Sequence, residues 1–274
     1  MKHRKSSLNP GVLLNSLLIF GPIGMILVGL LSIGIWKLKR SVSIKYFILG
    51  GLIWVAAITS KLVMDYTITP TLSTWAITTY GLVGMLVIVG LYVGLRTGVF
   101  ECGFTFLAFS KSRLKRMSLD EATAFGIGFG AFEAILLAVP SLIEIATLIL
   151  NPSLLELIPP AQKQLIETAL SLPTWIVPAP IIERIFVLFV HLFTASLIFI
   201  LVTQRKLSFF FEAFFYKSLL DAFVPSLQVT FKPGISPTGA YLAEIWVVAL
   251  GFIALAGTYW ARKTIFRYQQ QKPP

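Results

Sequence analysis

Charge is scarce in this chain. Only 13% of its 274 residues are Asp, Glu, Lys or Arg, against about 25% in a soluble domain. Half the expected water-facing surface is missing. That excludes an ordinary soluble enzyme, a disordered tail and a nucleic-acid-binding domain. Acid is scarcer than base, 12 residues against 23, which leaves a net charge of +11. A single cysteine, Cys102, excludes an internal disulfide framework. With two histidines (His3 and His191) and that one cysteine, no zinc site can be built from those residue types alone. No metal site and no cofactor are expected. Strand-like alternation in segments of about ten residues is absent too, which excludes a membrane β-barrel.

Apolar sequence is abundant, at 56% of the residues. A membrane-crossing helix needs about 20 mostly apolar residues. Seven stretches qualify, at roughly 11–36, 46–64, 76–95, 119–150, 179–203, 207–227 and 240–261. A further apolar stretch, 97–109, is too short to span alone. It either extends the third helix after a break or lies at the interface. The expected fold is an all-α polytopic helical bundle, one integral membrane domain over 1–274. It has about seven transmembrane helices plus a short re-entrant or interfacial helix. The longest stretch between spans, 151–178, is rich in proline. Within it 161–171 has apolar residues at helical spacing, either lying in the headgroup plane or forming a short helix in a structured loop.

Basic residues set the expected orientation. Lys37, Lys39, Arg40 and Lys45 follow the first span. Lys111, Arg113, Lys115 and Arg116 follow the 97–109 stretch, Arg205 and Lys206 separate spans five and six, and Arg262, Lys263, Arg267 and Lys272 end the chain. The loops on the other side, 65–75, 151–178 and 228–239, hold only Lys163 and Lys232. Basic loops stay cytoplasmic, so a cell-membrane protein with its C-terminus inside and its N-terminus outside is expected. Lys2, Arg4 and Lys5 oppose that placement of the N-terminus. The start resembles a basic signal-peptide region, but no small-residue cleavage site follows and the apolar run is long, so an uncleaved helix is expected. The net charge then reads as topogenic charge facing anionic lipid, with the bilayer and not nucleic acid as its partner.

Ionisable residues at bilayer depth cost about 2.5–3.5 kcal/mol each on insertion scales, so each needs a reason. Lys61 and Asp65, four apart, can pair or snorkel. Arg96, Glu144, Glu212 and Glu244 lie near span ends and read as structural or interfacial. Glu133 lies mid-span. Gly126, Gly130 and Glu133 share a helix face, where small residues let a neighbour approach; Gly128 is offset. Glu133 is either a functional carboxylate or a hydrogen-bonded Glu on a packing face. Arg184 and His191, seven apart, face the same way, so a ligand or a carboxylate from another helix fits between them. Glu183 and Arg184 can form a structural ion pair. Lys217 and Asp221, four apart, can form a salt bridge on one face. A nucleophilic pairing of Cys102 with His191 is open on paper, but an inert buried thiol is the simpler reading.

From about residue 76 to 227 the order of motifs resembles the YhfC-like membrane proteins, relatives of the CPBP (glutamic-type, Abi-like) intramembrane proteases. The residues carrying the resemblance are Glu101-Cys102, the glycine-rich run from Gly128 to Ala134, Glu183-Arg184 with His191, and Lys217 to Asp221. The resemblance implies a carboxylate that activates water and buried histidines that polarise a peptide carbonyl or assist a metal. It makes Glu101, Glu133 and His191 the catalytic candidates. Glu183, Arg184, Lys217 and Asp221 become candidates for lining a polar cavity. The sequence departs from the pattern at Cys102 in place of a second acid, at Phe129 in place of a histidine, and at Lys217 in place of another; the expected Arg after the acidic pair is also missing. Phe cannot ligate, and a protonated Lys cannot either.

Three functions stay open. One is an active intramembrane peptidase with a transmembrane-peptide substrate. Another is a catalytically degenerate relative that binds a membrane-protein partner. The last is a small transporter or channel subunit lined by Lys217, Asp221 and His191. The absent histidines favour the second. Phe129 and Lys217 discriminate: if they face the same cavity as Glu101 and His191, the proteolytic centre has been lost.

Overall fold

The computed structural model describes residues 14–111, 114 and 117–270, and among them all regular structure is helical. Lys2, His3, Arg4, Lys5, Arg113, Lys115, Arg116 and Lys272 lie outside the described residues, as do the first three residues of the expected span 11–36. The elements are α1 (Phe20–Arg40), α2 (Ile44–Thr67), α3 (Thr69–Thr97), α4 (Gly103–Lys111), α5 (Leu119–Leu150), α6 (Pro160–Leu170), α7 (Pro178–Gln204), α8 (Ser208–Ala222), α9 (Val224–Phe231) and α10 (Pro237–Gln270). Among the described residues, six helical stretches are long and apolar enough to cross a membrane: Ser16–Arg40, Ile44–Thr67, Thr69–Ser110, Leu119–Leu150, Thr174–Gln204 and Pro237–Tyr268.

The stretch 207–227, expected from its hydropathy to be a seventh span, is broken. α8 stops at Ala222, and α9 restarts with Pro225 in its first turn. Proline has no N–H to give and crowds the preceding turn. The 15 residues of α8 cover about 22 Å, short of the ~30 Å hydrocarbon core, and α9 completes the passage from Phe209 beside Trp260 to the end where Tyr241 lies near the start of α10. The stretch 97–109 takes the first of its two expected courses. α3 runs through a single π-helical turn, Gly98–Cys102, straight into α4. Earlier in α3 the chain kinks at Gly81, whose φ of 69° suits glycine and few other residues. The short helix expected within 161–171 is α6.

α5 begins with a capping box: Glu121 N–H donates to Ser118 Oγ at 3.3 Å, and Ser118 N–H donates to Glu121 Oε2 at 2.7 Å. α5 packs on α1, α2 and α7, and α7 packs on α5, α8 and α10. Phe47, Phe109, Phe125, Leu197 and Ile198 are fully buried where α2, α4, α5 and α7 meet. Glycine lets α2 and α5 touch backbone to backbone: a Cβ on Gly50 would meet the Phe125 carbonyl, and one on Gly128 the Phe47 carbonyl. The face of Gly126 and Gly130 meets α7 beside His191.

The two ends of the bundle differ. At the basic end, Arg262 donates to Asp120 at 2.8 Å and its guanidinium lies over Trp36. At the opposite end, Asn15 Nδ2 donates to the Leu172 carbonyl at 2.8 Å and Tyr241 Oη to the Trp175 carbonyl at 2.6 Å. Between the ends, large apolar side chains such as Val83, Val87, Leu91, Phe215, Ile245 and Phe252 point outward. A surface of that kind suits lipid, not water.

Candidate functional site

The π-helical turn between α3 and α4 carries Glu101 into the bundle, where it is 4% exposed. Such turns insert an extra residue into a helix and rotate its C-terminal continuation, and they concentrate at functional sites. Two ammonium groups meet the carboxylate. Lys61 Nζ of α2 donates to Oε1 at 2.5 Å, and Lys217 Nζ of α8 donates to Oε2 at 2.5 Å. Lys61 therefore does not snorkel to Asp65. Asp65 is taken by Arg96, whose Nη1 lies 2.6 Å from Oδ1 and 3.1 Å from the Lys61 carbonyl.

His191, 2% exposed, sits between two charged groups. Its Nε2 lies 2.9 Å from Glu133 Oε2, and its Nδ1 lies 2.9 Å from Lys217 Nζ. An ammonium can only donate and a carboxylate only accept. The hydrogen bonds thus assign a neutral imidazole with its proton on Nε2, a tautomer set by its two neighbours.

Both oxygens of Glu133 are likewise engaged. Its Oε1 accepts from Arg184 Nη1 at 2.7 Å, and its Oε2 accepts from Trp54 Nε1 at 2.9 Å as well as from His191. A carboxylate from α5 does stand between Arg184 and His191, the arrangement their seven-residue spacing allows. Arg184 also bonds Glu183. Asp221 accepts from Thr97 Oγ1 at 2.6 Å and lies 4.0 Å from Lys61. The expected Lys217–Asp221 bridge is not made; Lys217 meets Glu101 and His191 instead.

The departures face the same centre. The Phe129 ring stacks at a tilt on His191, centroids 4.7 Å apart, and lies under Lys217 Nζ at 5.5 Å. Glu101, Cys102, Phe129, His191 and Lys217 line one void of about 10 Å³, scarcely the space of a single water. Cys102 is buried and free. A second, larger cavity of about 210 Å³ shares Glu101 and Lys217 with that void. Lys61, Glu101, Glu133, Glu183, Arg184, Lys217 and Asp221 all line it, with Trp54 and Val247 in its apolar wall.

Sequence reasoning placed Lys61 with Asp65 and so missed its place at this site, and it missed the stripe Gly90, Gly94 and Gly98. The stripe brings α8 against α3: Cβ atoms there would meet Ala222, Ser218 and Phe214. Four-residue spacing of glycine was a readable signal for close helix approach. The signal for Lys61 was Glu101 itself, an intramembrane carboxylate with no cation within a turn on its C-terminal side. Glu244, read as peripheral, is on α10 with one carboxylate oxygen buried and without a hydrogen-bond partner.

No curated protein matches the chain, and no solved structure does. A family model does: YhfC intramembrane metalloprotease, over residues 24–250. The matched range takes in every charged group around the two cavities.

Proposed function

The chain belongs to the YhfC intramembrane metalloprotease family, and from that premise we propose that it is a catalytically degenerate member that binds a membrane-protein partner. It is a multi-pass membrane protein on an intramembrane-protease-like scaffold. The observation that carries the proposal is the double clamp on Glu101, with both oxygens held by ammonium groups at 2.5 Å.

Hydrolysis needs a base free to take a proton from water, and a group that stabilises the oxyanion. Glu101 has two cationic partners, Glu133 has three donors, and both nitrogens of His191 are engaged. The family's description implies a metal ion. The donors do not fit one: among the described residues no group of three or more His, Cys, Asp or Glu is placed to hold a metal, and the ammonium of Lys217 lies on the two side chains best placed to do so. Phe129, facing the same void, offers no ligating atom.

The larger cavity supports binding. Its 210 Å³ is below the ~300 Å³ at which small-molecule sites begin. That suits the end of one polar side chain on a partner helix better than an extended peptide. Buried charge in a bilayer is a reason for such a helix to dock. We further propose that the basic end faces the cytoplasm.

Photo-crosslinking in native membranes tests the partner reading. A crosslinker at cavity-lining Val247 is expected to capture one defined membrane protein, and Glu183→Ala in the same cavity to abolish capture. A crosslinker at Leu38, which is 85% exposed, is the lipid-facing control. Equal labelling from both positions, insensitive to Glu183→Ala, contradicts it.

A further inference from the structure

The charged residues around the larger cavity are nearly balanced. Four carboxylates (Glu101, Glu133, Glu183 and Asp221) face three cations (Lys61, Arg184 and Lys217). Lys217 is the most central cation, 3% exposed. It is also the one that touches both a carboxylate oxygen and an imidazole nitrogen carrying a lone pair. Glu101 Oε2 and His191 Nδ1 are a hard and a borderline donor converging on one point. That is the donor pair a divalent transition metal takes. The contacts to Nζ, 2.5 and 2.9 Å, exceed metal–ligand bonds of about 2.0–2.2 Å by about 0.3–0.9 Å.

We propose that the Lys217 ammonium is a resident counter-cation occupying the seat of a divalent metal, and that replacing it with a neutral ligand turns the centre into a metal-binding site. Removing Lys217 leaves two carboxylates in excess of the cations, the charge of one divalent ion. An imidazole at the same position is shorter than the lysine side chain by roughly one metal–nitrogen bond, about 2 Å. A metal bound to it therefore falls where Nζ now lies. The ligand set becomes one carboxylate and two imidazoles, with a fourth position open. Lys61 holds the other Glu101 oxygen and Glu133 holds Nε2 of His191. These contacts orient both ligands from behind, as carboxylate and hydrogen-bond partners do around bound zinc.

The test is a Co²⁺ titration of purified, tag-free full-length protein in detergent, followed by visible absorption with Zn²⁺ competition. Cys102→Ala is included throughout so that the thiol does not contribute. With Lys217 intact, no stoichiometric cobalt bands are expected, and chelator leaves the melting temperature unchanged. Lys217→His is expected to bind one equivalent of Co²⁺ at least 100-fold more tightly, and to lose that binding when Glu101→Gln or His191→Ala is added. A folded Lys217→His protein that binds no metal overturns the proposal. So does one equivalent bound by the Lys217-containing protein and lost in His191→Ala. If Lys217→His fails to fold, Lys217→Ala purified with and without Zn²⁺ replaces it, with recovery or a raised melting temperature in Zn²⁺ as the expected result and no effect as the overturning one. Should neither variant fold, the Lys217-containing protein decides alone, its silence supporting the proposal and its binding refuting it. This inference rests on the degenerate-protease reading, and metal titration and peptide cleavage are separate readouts that distinguish the failure of one from the failure of the other.

Discussion

Glu101 and Lys217 are 116 residues apart in sequence and meet at 2.5 Å inside the bundle, on the π turn after α3 and on α8. The contact ties together the two least regular parts of the membrane domain. On the proposed reading it also closes the centre, because it fills the position from which a carboxylate or imidazole would act on water or a metal.

Removing that cation is expected to be costly. Lys217→Met leaves Glu101 with Lys61 alone and His191 Nδ1 with no donor. Breaking one side of a buried pair costs about 3–5 kcal/mol. Thermal or denaturant unfolding in detergent should show a loss of that order, while Lys39→Met at an exposed position leaves stability unchanged.

Trp54 offers a finer probe. Trp54→Phe keeps an aromatic ring and removes only the N–H that Glu133 Oε2 accepts at 2.9 Å. A hydrogen bond to a charged group is worth about 1.5–3 kcal/mol. The expected loss lies in that range and below the Lys217→Met loss, since Glu133 retains Arg184 and His191.

Glycine positions should split sharply. Gly128→Ala drives a methyl group into the Phe47 carbonyl of α2, and overpacking of this kind costs about 1–3 kcal/mol. Gly34→Ala on α1 meets nothing within 4 Å and should be neutral or slightly stabilising. Parallel unfolding curves in one detergent check the contrast.

Orientation is testable with single cysteines introduced on a Cys102→Ala background. The basic-loop asymmetry predicts that Ser153→Cys reacts with an impermeant maleimide in intact cells, and that Lys206→Cys reacts only after the membrane is opened. Both positions are exposed. The reverse labelling pattern inverts the topology.

Membrane class was legible because it depends on composition, and the main spans because they depend on runs of about 20 apolar residues. The break at Phe223 was harder to read. Pro225 was visible, but apolar residues continue on both sides of it, so hydropathy alone carries the span across. Arg184 and His191 could be placed on one face, because helical period is local information. Which carboxylate stands between them was not local: Glu133 arrives from α5 through the packing of Gly126 and Gly130 on α7. Lys217 was misread for the same reason. Its sequence neighbour Asp221 was the visible partner, while its actual partner depends on a π turn that hydropathy does not reveal and on a glycine stripe in α3.

The most direct test of the central claim is cleavage of reporter transmembrane segments by purified protein in liposomes, with Zn²⁺ supplied, alongside Glu101→Ala, Glu133→Ala and His191→Ala. A centre closed by its own ion pairs predicts that the unaltered protein cleaves no faster than Glu101→Ala. Cleavage by the unaltered protein that disappears in all three variants would contradict it.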